Sequence, residues 1–399
     1  MAGEVLDERL ARGLERPLAV AVSGGGDSTA LALTAARWAR AAGRPLLVLS
    51  LDHGLNAQSG AWMEACADLA ARLGADFRPL SWAGDKPTRG LPAAARAARH
   101  RLLAEAACEA GARVILMGHT ADDVLEARSM RAAGSTTPEP RAWSPSPAWP
   151  EGRGVFLLRP LLGLRRAEVR GWLQAQGERW IEDPANDDPR YARARARLRI
   201  EPGDPPMRRE TEPNALAALC EMGDAGVLRV SRDALRLARR AQAQAFVGAA
   251  CLCAAGTLRP ASGARLQRLV ARLIGHEEVA ATLAGARIEA DTGTVWFLRE
   301  PGEAARGGLR PLPIAAGEIA VWDGRFEIMA DADLVVRPLA GLARRLSDGA
   351  RAALRPIRPK ARLSLPVCVQ AGEARLLDVR PLALDRLQAA CGLVPREPL

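Results

Sequence analysis

Along the first 120 residues, short apolar runs alternate with amphipathic stretches. Residues 18–22 and 46–51 are apolar runs of the length expected for buried strands, and 77–82 and 114–117 are read as further strands. Helical stretches lie between them. One reaches Ala42 and is closed by Gly43, one covers 59–73 and is closed by Gly74, and one covers 91–110 and is closed by Gly111. Strands separated by helices in this way predict an α/β fold, a doubly wound parallel sheet. Such a sheet takes its ligands at the carboxyl ends of its strands. The loops that matter therefore begin at Ser23, Asp52 and Gly118.

The pattern then changes. Residues 134–154 hold Pro138, Pro140, Pro145, Pro147 and Pro150, with Trp143 and Trp149 between them, and read as a long irregular loop. Pro202, Pro205 and Pro206 read as a linker. From Asn214 the sequence is expected to be mainly helical. Leu266, Leu269, Val270, Leu273 and Ile274 form an apolar stripe, and Arg265, Arg268 and Arg272 lie off it. Those arginines are either a solvated face or a surface for a polyanion. A hairpin is expected around 291–293. A third linker, 301–313, leads to a module in which Asp323-Gly324 turns a second hairpin. These breaks divide the chain into residues 1–205, a helical middle domain at 213–305, and a small α+β module at 314–399.

Composition narrows the class. The chain has 399 residues, 48 % of them hydrophobic, and a net charge of +10. That excludes a disordered chain and a small disulfide scaffold. The longest apolar run, 245–258, is too short to cross a bilayer, so no membrane association is expected. The first residues carry acid where a signal peptide carries base, which points to the cytoplasm. Of the 56 basic residues only Lys86 and Lys360 are lysine, so part of the arginine count reflects codon usage. The positive balance still suits a polyanionic partner. Seven scattered cysteines without a CxxC pair read as reduced thiols. Four histidines show no metal-cage spacing.

The chemistry begins at Ser23-Gly24-Gly25-Gly26-Asp27-Ser28, directly after the first strand and opening a helix. Three glycines let the backbone approach a ligand, and their N–H groups with those of the helix start make an anion cradle. Asp27 repels a bare phosphate but suits one bridged by Mg²⁺, which makes Asp27 the candidate metal ligand. The loop is neither GxxxxGK[ST] nor GxGxxG. Asp122, Asp123 and Glu126 form an acidic cluster at a helix start. Asp123 and Glu126 share a face, although a Thr120-x-x-Asp123 capping box accounts for part of the pattern. A cluster of this kind holds an amine cation and removes its proton.

The glycine loop resembles that of the N-type ATP pyrophosphatases, the PP-loop superfamily, and by itself leaves several of their activities open. Further motifs follow in order: Leu51-Asp52-His53-Gly54-Leu55, Arg96 to Arg101 on the third helix, Gly118-His119-Thr120-Ala121-Asp122-Asp123 continuing to Glu126, Arg159-Pro160-Leu161-Leu162, and Glu182-Asp183-Pro184 continuing to Tyr191, Arg193, Arg195 and Arg197. Over about residues 15–200 this series resembles the bacterial tRNA(Ile)-lysidine synthetases. The resemblance implies an ATP- and Mg²⁺-dependent ligase that joins L-lysine to the wobble cytidine of the CAU-anticodon isoleucine tRNA. In that reaction ATP adenylates the C2 oxygen of cytosine, and the lysine ε-amine then displaces AMP.

The resemblance also implies residue roles. Ser23, Gly24, Gly25, Gly26, Asp27, Ser28, Asp52 and His53 would hold the nucleotide. Asp123 and Glu126 would hold the lysine amine, with Arg99 and His119 at the activated base or phosphate. Asp122 would face substrate or tRNA, and Arg193 and Arg195, which alternate with alanine, are read as phosphate or tRNA contacts, a solvated helix being the alternative. The middle domain and the C-terminal module are assigned to tRNA, the latter to its acceptor stem. Trp143 or Trp149 is a candidate to stack on an anticodon base, local packing being the alternative. A homodimer is left open. A tRNA thiolation enzyme would need a reactive cysteine or a CxxC pair near the loop. A non-catalytic RNA-binding relative would have no use for Asp27 and Asp123.

Overall fold

The computed structural model describes residues 2–135, 137–183, 188, 190, 192–200 and 212–399. Tyr191, residues 184–187 and the proline linker at 202–206 lie outside the described residues. The chain forms two units: Met1–Thr211 together with Val394–Leu399, and Glu212–Leu393.

The first unit is built on a six-stranded sheet. Its strands are β1 (Leu18–Ala21), β2 (Leu46–Asp52), β3 (Asp76–Ser81), β4 (Val114–Leu116), β5 (Trp143–Pro145) and β6 (Phe156–Leu158), in the order β3-β2-β1-β4-β6-β5. All neighbours are parallel except β5, which runs antiparallel to β6 at the edge. The expected irregular loop at 134–154 thus contains an edge strand. Prolines are tolerated there because an edge strand need not donate every ladder bond. Trp143 stacks on Phe156 with ring centroids 4.8 Å apart and donates its indole N–H to Val394 O at 2.6 Å. It therefore packs within the fold.

The helices are α1 (Gly3–Arg9), α2 (Gly26–Ala42), α3 (Ser59–Leu73), α4 (Leu91–Glu109), α5 (Ala121–Ala132), α6 (Arg166–Ala175) and α7 (Ala192–Arg197). Left-handed Gly43 and Gly74 end α2 and α3. Val20, Val48, Leu116 and Leu158 face α2, α3 and α6, whereas Ala19, Leu49, Ile115 and Leu157 face α4. Both sheet faces are covered, which is why the strands read as continuous apolar runs. The chain winds from β1 outward to β3, then returns to place β4 on the other side of β1. That reversal opens a crevice at the carboxyl ends of β1 and β4.

Residues 394–399, expected to end a C-terminal module, instead belong to the first unit. Glu397 is fully buried there, accepting from both terminal nitrogens of Arg44 (2.6 and 3.1 Å) and from Ala11 N (3.2 Å). Arg396 donates to Glu8 O at 2.7 Å.

The second unit holds the five-stranded antiparallel sheet β7 (Glu221–Met222), β8 (Leu228–Ser231), β11 (Thr294–Arg299), β10 (Ala286–Ala290) and β9 (Val279–Leu283), in that spatial order. Helices Arg240–Ala255, Gly263–Ile274 and Ala383–Ala390 share its core. The segment expected to be mainly helical is thus mixed. Its short strands bury Leu228, Val230, Ile288 and Phe297 against the helices. The anticipated hairpins are present at β10–β11 and at Ile319–Trp322 with Phe326–Met329. All seven cysteines are free thiols. Burial pushes the Cys253 thiol up to about 12. Among the described residues, no helix is long and apolar enough to cross a membrane.

Candidate active site

The loop after β1 is held by its own hydroxyls. Ser28 Oγ donates to Gly25 O (2.9 Å) and accepts from Ser23 N (3.2 Å). Gly24 has φ +80°, and its carbonyl accepts from Ile181 N at 2.9 Å. A Cβ at Gly24 would lie 2.5 Å from Ile181 Cδ1, so the 180–182 segment packs directly on the loop. Gly118, after β4, comes as close from the other side: a Cβ there would sit 3.0 Å from Ser28 N and Cα. The loop is thus a rigid nest at the start of α2, where first-turn N–H groups have no intrahelical partner.

A cavity of about 300 Å³ lies over this nest. Ser23, Gly25, Gly26, Asp27, Ser28, His53, Arg99, His119, Asp123 and Arg193 line it, as the sequence reading expected of site residues. Four other candidates stand elsewhere, and Glu126 does not line the cavity itself. Gly24 lies behind the loop. Asp52 accepts from Gly54 N (2.7 Å) and is absent from the wall. Asp122 turns to α6, accepting from Arg166 N (2.7 Å) and from the Arg165 guanidinium (3.1 Å). Burial alone would raise its carboxyl, but those donors hold it below the ordinary range. Arg195 points outward to Arg190 O (2.8 Å).

The acidic cluster is both a cap and a charge site. Thr120 N (2.7 Å) and Oγ1 (3.0 Å) donate to Asp123 Oδ2, completing the capping box. Asp123 Oδ1 accepts from Arg193. Glu126, fully buried, accepts from Arg193 Nε (2.7 Å), Arg197 Nε (3.0 Å) and Arg166 Nη1 (3.1 Å). Helical spacing puts Arg193 and Arg197 on the same face of α7, with Ala194 and Ala196 buried between them.

Arg166 also donates to Asp27 Oδ2 at 3.1 Å. It links the glycine loop to the acids and was not anticipated, because its place depends on α6 folding back over α2. The motif position after Arg159-Pro160-Leu161-Leu162 was the only signal. Among the described residues, Asp27 Oδ1 is buried without a hydrogen-bond partner. One oxygen is therefore oriented by a cation while the other is open, which suits a hard divalent ion.

The opposite wall is basic. Burial, reinforced by Arg99, lowers the His53 imidazole below its ordinary value. Burial and the guanidinium of Arg159 keep His119 neutral. His119 Nδ1 accepts from Arg159 Nε (3.3 Å), so its proton sits on Nε2. Among the described residues Arg99 Nε is buried without a partner, and desolvation beside Arg96 lowers its guanidinium to about 10, with Asp123 offsetting only part of the effect. Cations crowded together beside a single carboxylate make a wall suited to an anion.

The chain is similar to known proteins over most of its length. A PP-loop domain family matches residues 4–203. A tRNA(Ile)-lysidine synthase of Caulobacter vibrioides is 48 % identical over 413 residues, covering 98 % of this chain and 97 % of that protein. Proteins of the same description from Hyphomonas neptunium (36 % identity, 73 % of this chain, 85 % of that one) and Ralstonia nicotianae (33 %, 94 % and 90 %) are also similar.

Proposed function

The chain belongs to the tRNA(Ile)-lysidine synthase family of PP-loop enzymes, and from that premise we propose how its own residues carry the reaction. The enzyme uses ATP to ligate L-lysine to the wobble cytidine of CAU-anticodon isoleucine tRNA, releasing AMP and pyrophosphate. The observation that carries the residue assignment is that one cavity joins the glycine nest, the basic wall and Asp123, with Glu126 buried beside it and linked to it through Arg193.

The nest of Ser23 to Ser28 binds the ATP phosphates through backbone N–H groups. Asp27 Oδ1 would hold Mg²⁺, which would supply charge neutralisation for the ATP phosphates. Arg99 stabilises negative charge as pyrophosphate leaves the α-phosphate, and His119 Nε2–H donates to the adenylated site. The lysine substrate arrives as an ammonium, since its ordinary pKa is about 10.4. Asp123 and Glu126 hold it, and one of them takes the proton that frees the nitrogen lone pair for attack on C2. The C2–N bond forms as the C2–O bond to AMP breaks. Asp122 positions α6 rather than touching substrate.

For the second unit, we assign 213–305 to tRNA binding and the module beginning at 314 to the acceptor stem. The exposed Arg265, Arg268 and Arg272 on one helix face support this, being suited to phosphates. The activity belongs in the bacterial cytoplasm, where that tRNA is found. The test is pyrophosphate release from ATP–Mg²⁺ with and without the CAU-anticodon tRNA, alongside labelled lysine entering the RNA. Both are expected to require tRNA. Release without lysine label would overturn the lysine assignment and point to another nucleophile.

A further inference from the structure

The acids assigned to the lysine amine are already engaged. Asp123 Oδ2 is committed to the capping box. Asp123 Oδ1 accepts from Arg193, and both oxygens of Glu126 accept from guanidiniums, Oε2 from Arg193 and Oε1 from Arg166 and Arg197. An ammonium carries three donors and needs carboxylate acceptors. Among the described residues each of these oxygens already accepts from at least one donor, so an ammonium would have to share its acceptors with a guanidinium. Three carboxylates, Asp27, Asp123 and Glu126, face three guanidiniums, Arg166, Arg193 and Arg197. A fourth cation entering this cluster adds uncompensated charge unless one guanidinium leaves.

The structure distinguishes which one. Arg166 is held by Asp27, Glu126 and Asp123, its side chain is 15 % exposed, and its backbone is pinned by Asp122. Arg193 is 45 % exposed and stands on a helix of six residues. It also lies near the basic wall that draws phosphates, where its charge acts on Arg96 and Arg99. Of the three guanidiniums in the cluster, Arg193 is the most exposed, at 45 % against 31 % for Arg197 and 15 % for Arg166, and so the most open to an arriving phosphate.

We propose that Arg193 is an internal occupant of the lysine ε-ammonium site, withdrawn when a phosphate group takes its guanidinium, so that the site opens to lysine only after the phosphate-bearing substrate has arrived. This rests on the assignment of Asp123 and Glu126 to lysine. It makes Arg193 a residue that orders substrate entry, and it protects the adenylate step from a premature nucleophile. The phosphate comes from the nucleotide or from the RNA, and the two sources are separable by experiment.

The experiment is equilibrium binding of labelled L-lysine to the full-length protein. The arms are protein alone, with a non-hydrolysable ATP analogue and Mg²⁺, with CAU-anticodon tRNA, and with both. The wild type should bind lysine at least about tenfold more tightly once the phosphate source is present, within the usual range of coupling between sites. Whichever single arm produces the gain identifies the source. Arg193→Ala should bind lysine about tenfold more tightly than the wild type when alone, and should lose the dependence on the added polyanion. Misfolding cannot produce a gain in affinity, and Arg193→Gln serves as a second variant. The proposal is overturned if wild-type affinity is the same in every arm, or if both variants alone bind lysine no better than the wild type. Asp123→Asn and Glu126→Gln separate the two levels: if lysine binding in the presence of both polyanions survives these changes, the lysine-site assignment itself fails.

Discussion

Asp27 and Arg166 meet at 3.1 Å and tie the start of α2 to α6. The contact uses only Oδ2 and leaves Oδ1 buried and open. One carboxylate thus orients itself with a fixed cation while keeping a position for a divalent ion. Asp27→Asn keeps the shape and removes the charge. Pyrophosphate release should fall at least about 100-fold, because a metal at such a site supplies several kcal/mol of charge stabilisation. Raising Mg²⁺ should restore little of it. Steady-state rates across a Mg²⁺ series read this directly.

Gly118 tests the rigidity of the nest. A methyl group there meets the backbone of Ser28 and Asp27 at 3.0–3.1 Å, and no flexible side chain is available to yield. Gly118→Ala should push α2 away from β4. We expect a loss of about 1–3 kcal/mol in stability from overpacking and a drop of about 10²-fold in kcat/KM for ATP from the displaced cradle. Thermal unfolding together with ATP kinetics measures both. An unchanged KM and kcat would mean that the cradle does not contact the nucleotide.

His100 carries a pH prediction. It is 5 % exposed, neither ring nitrogen has a partner among the described residues, and burial beside Arg99 pushes its imidazole down to about 3. The unfolded chain takes up a proton near pH 6.5 and the folded protein does not. The stability that the neutral form contributes is complete above pH 6.5 and is lost as the pH falls from there toward 3. The slope is up to about 1.4 kcal/mol per pH unit for this one group. Denaturant midpoints at pH 7 and pH 5 should differ, and His100→Leu should reduce the difference by removing a buried group that must stay uncharged.

Arg44 and Glu397 have fully buried side chains. Glu397→Ala leaves the guanidinium without its counter-charge and should cost about 3–5 kcal/mol, seen as a lower unfolding midpoint of the first unit. The double change Arg44→Met with Glu397→Leu should recover much of that loss. Equal destabilisation by the single and the double variant would mean that the pair matters through packing rather than charge.

What was legible in the sequence was local. The glycine loop, the acids at a helix start and the glycine-closed helices each declare themselves within a few residues, and Ser23, Gly25, Gly26, Asp27, Ser28, Arg99, His119 and Asp123 line one cavity. What was hidden depends on distant chain. Arg166 reaches Asp27 across 139 positions, and Arg44 finds Glu397 across 353. Asp122 sits beside Asp123 in sequence, yet helical geometry turns it to Arg165 and Arg166 instead. The strand at Trp143–Pro145 was masked by its prolines, which an edge position accommodates. The second unit's strands are too short for periodicity to separate them from helical surroundings.

The returning tail has a consequence for how the enzyme is made. All six strands of the catalytic sheet have been synthesised by Leu158, but Val394–Leu399 emerges from the ribosome only after the whole of the second unit. Nascent domains fold in order of synthesis, so the sheet forms around Arg44 while its carboxylate partner is still untranslated. A chain broken off anywhere in the second unit keeps every residue of the glycine loop and the acidic cluster, yet buries an unanswered charge. The counter-charge of Arg44 is thus the last part of the first unit to be made, and until then its guanidinium has, among the described residues, only the carbonyls of Ala11, Arg16 and Pro17 as acceptors.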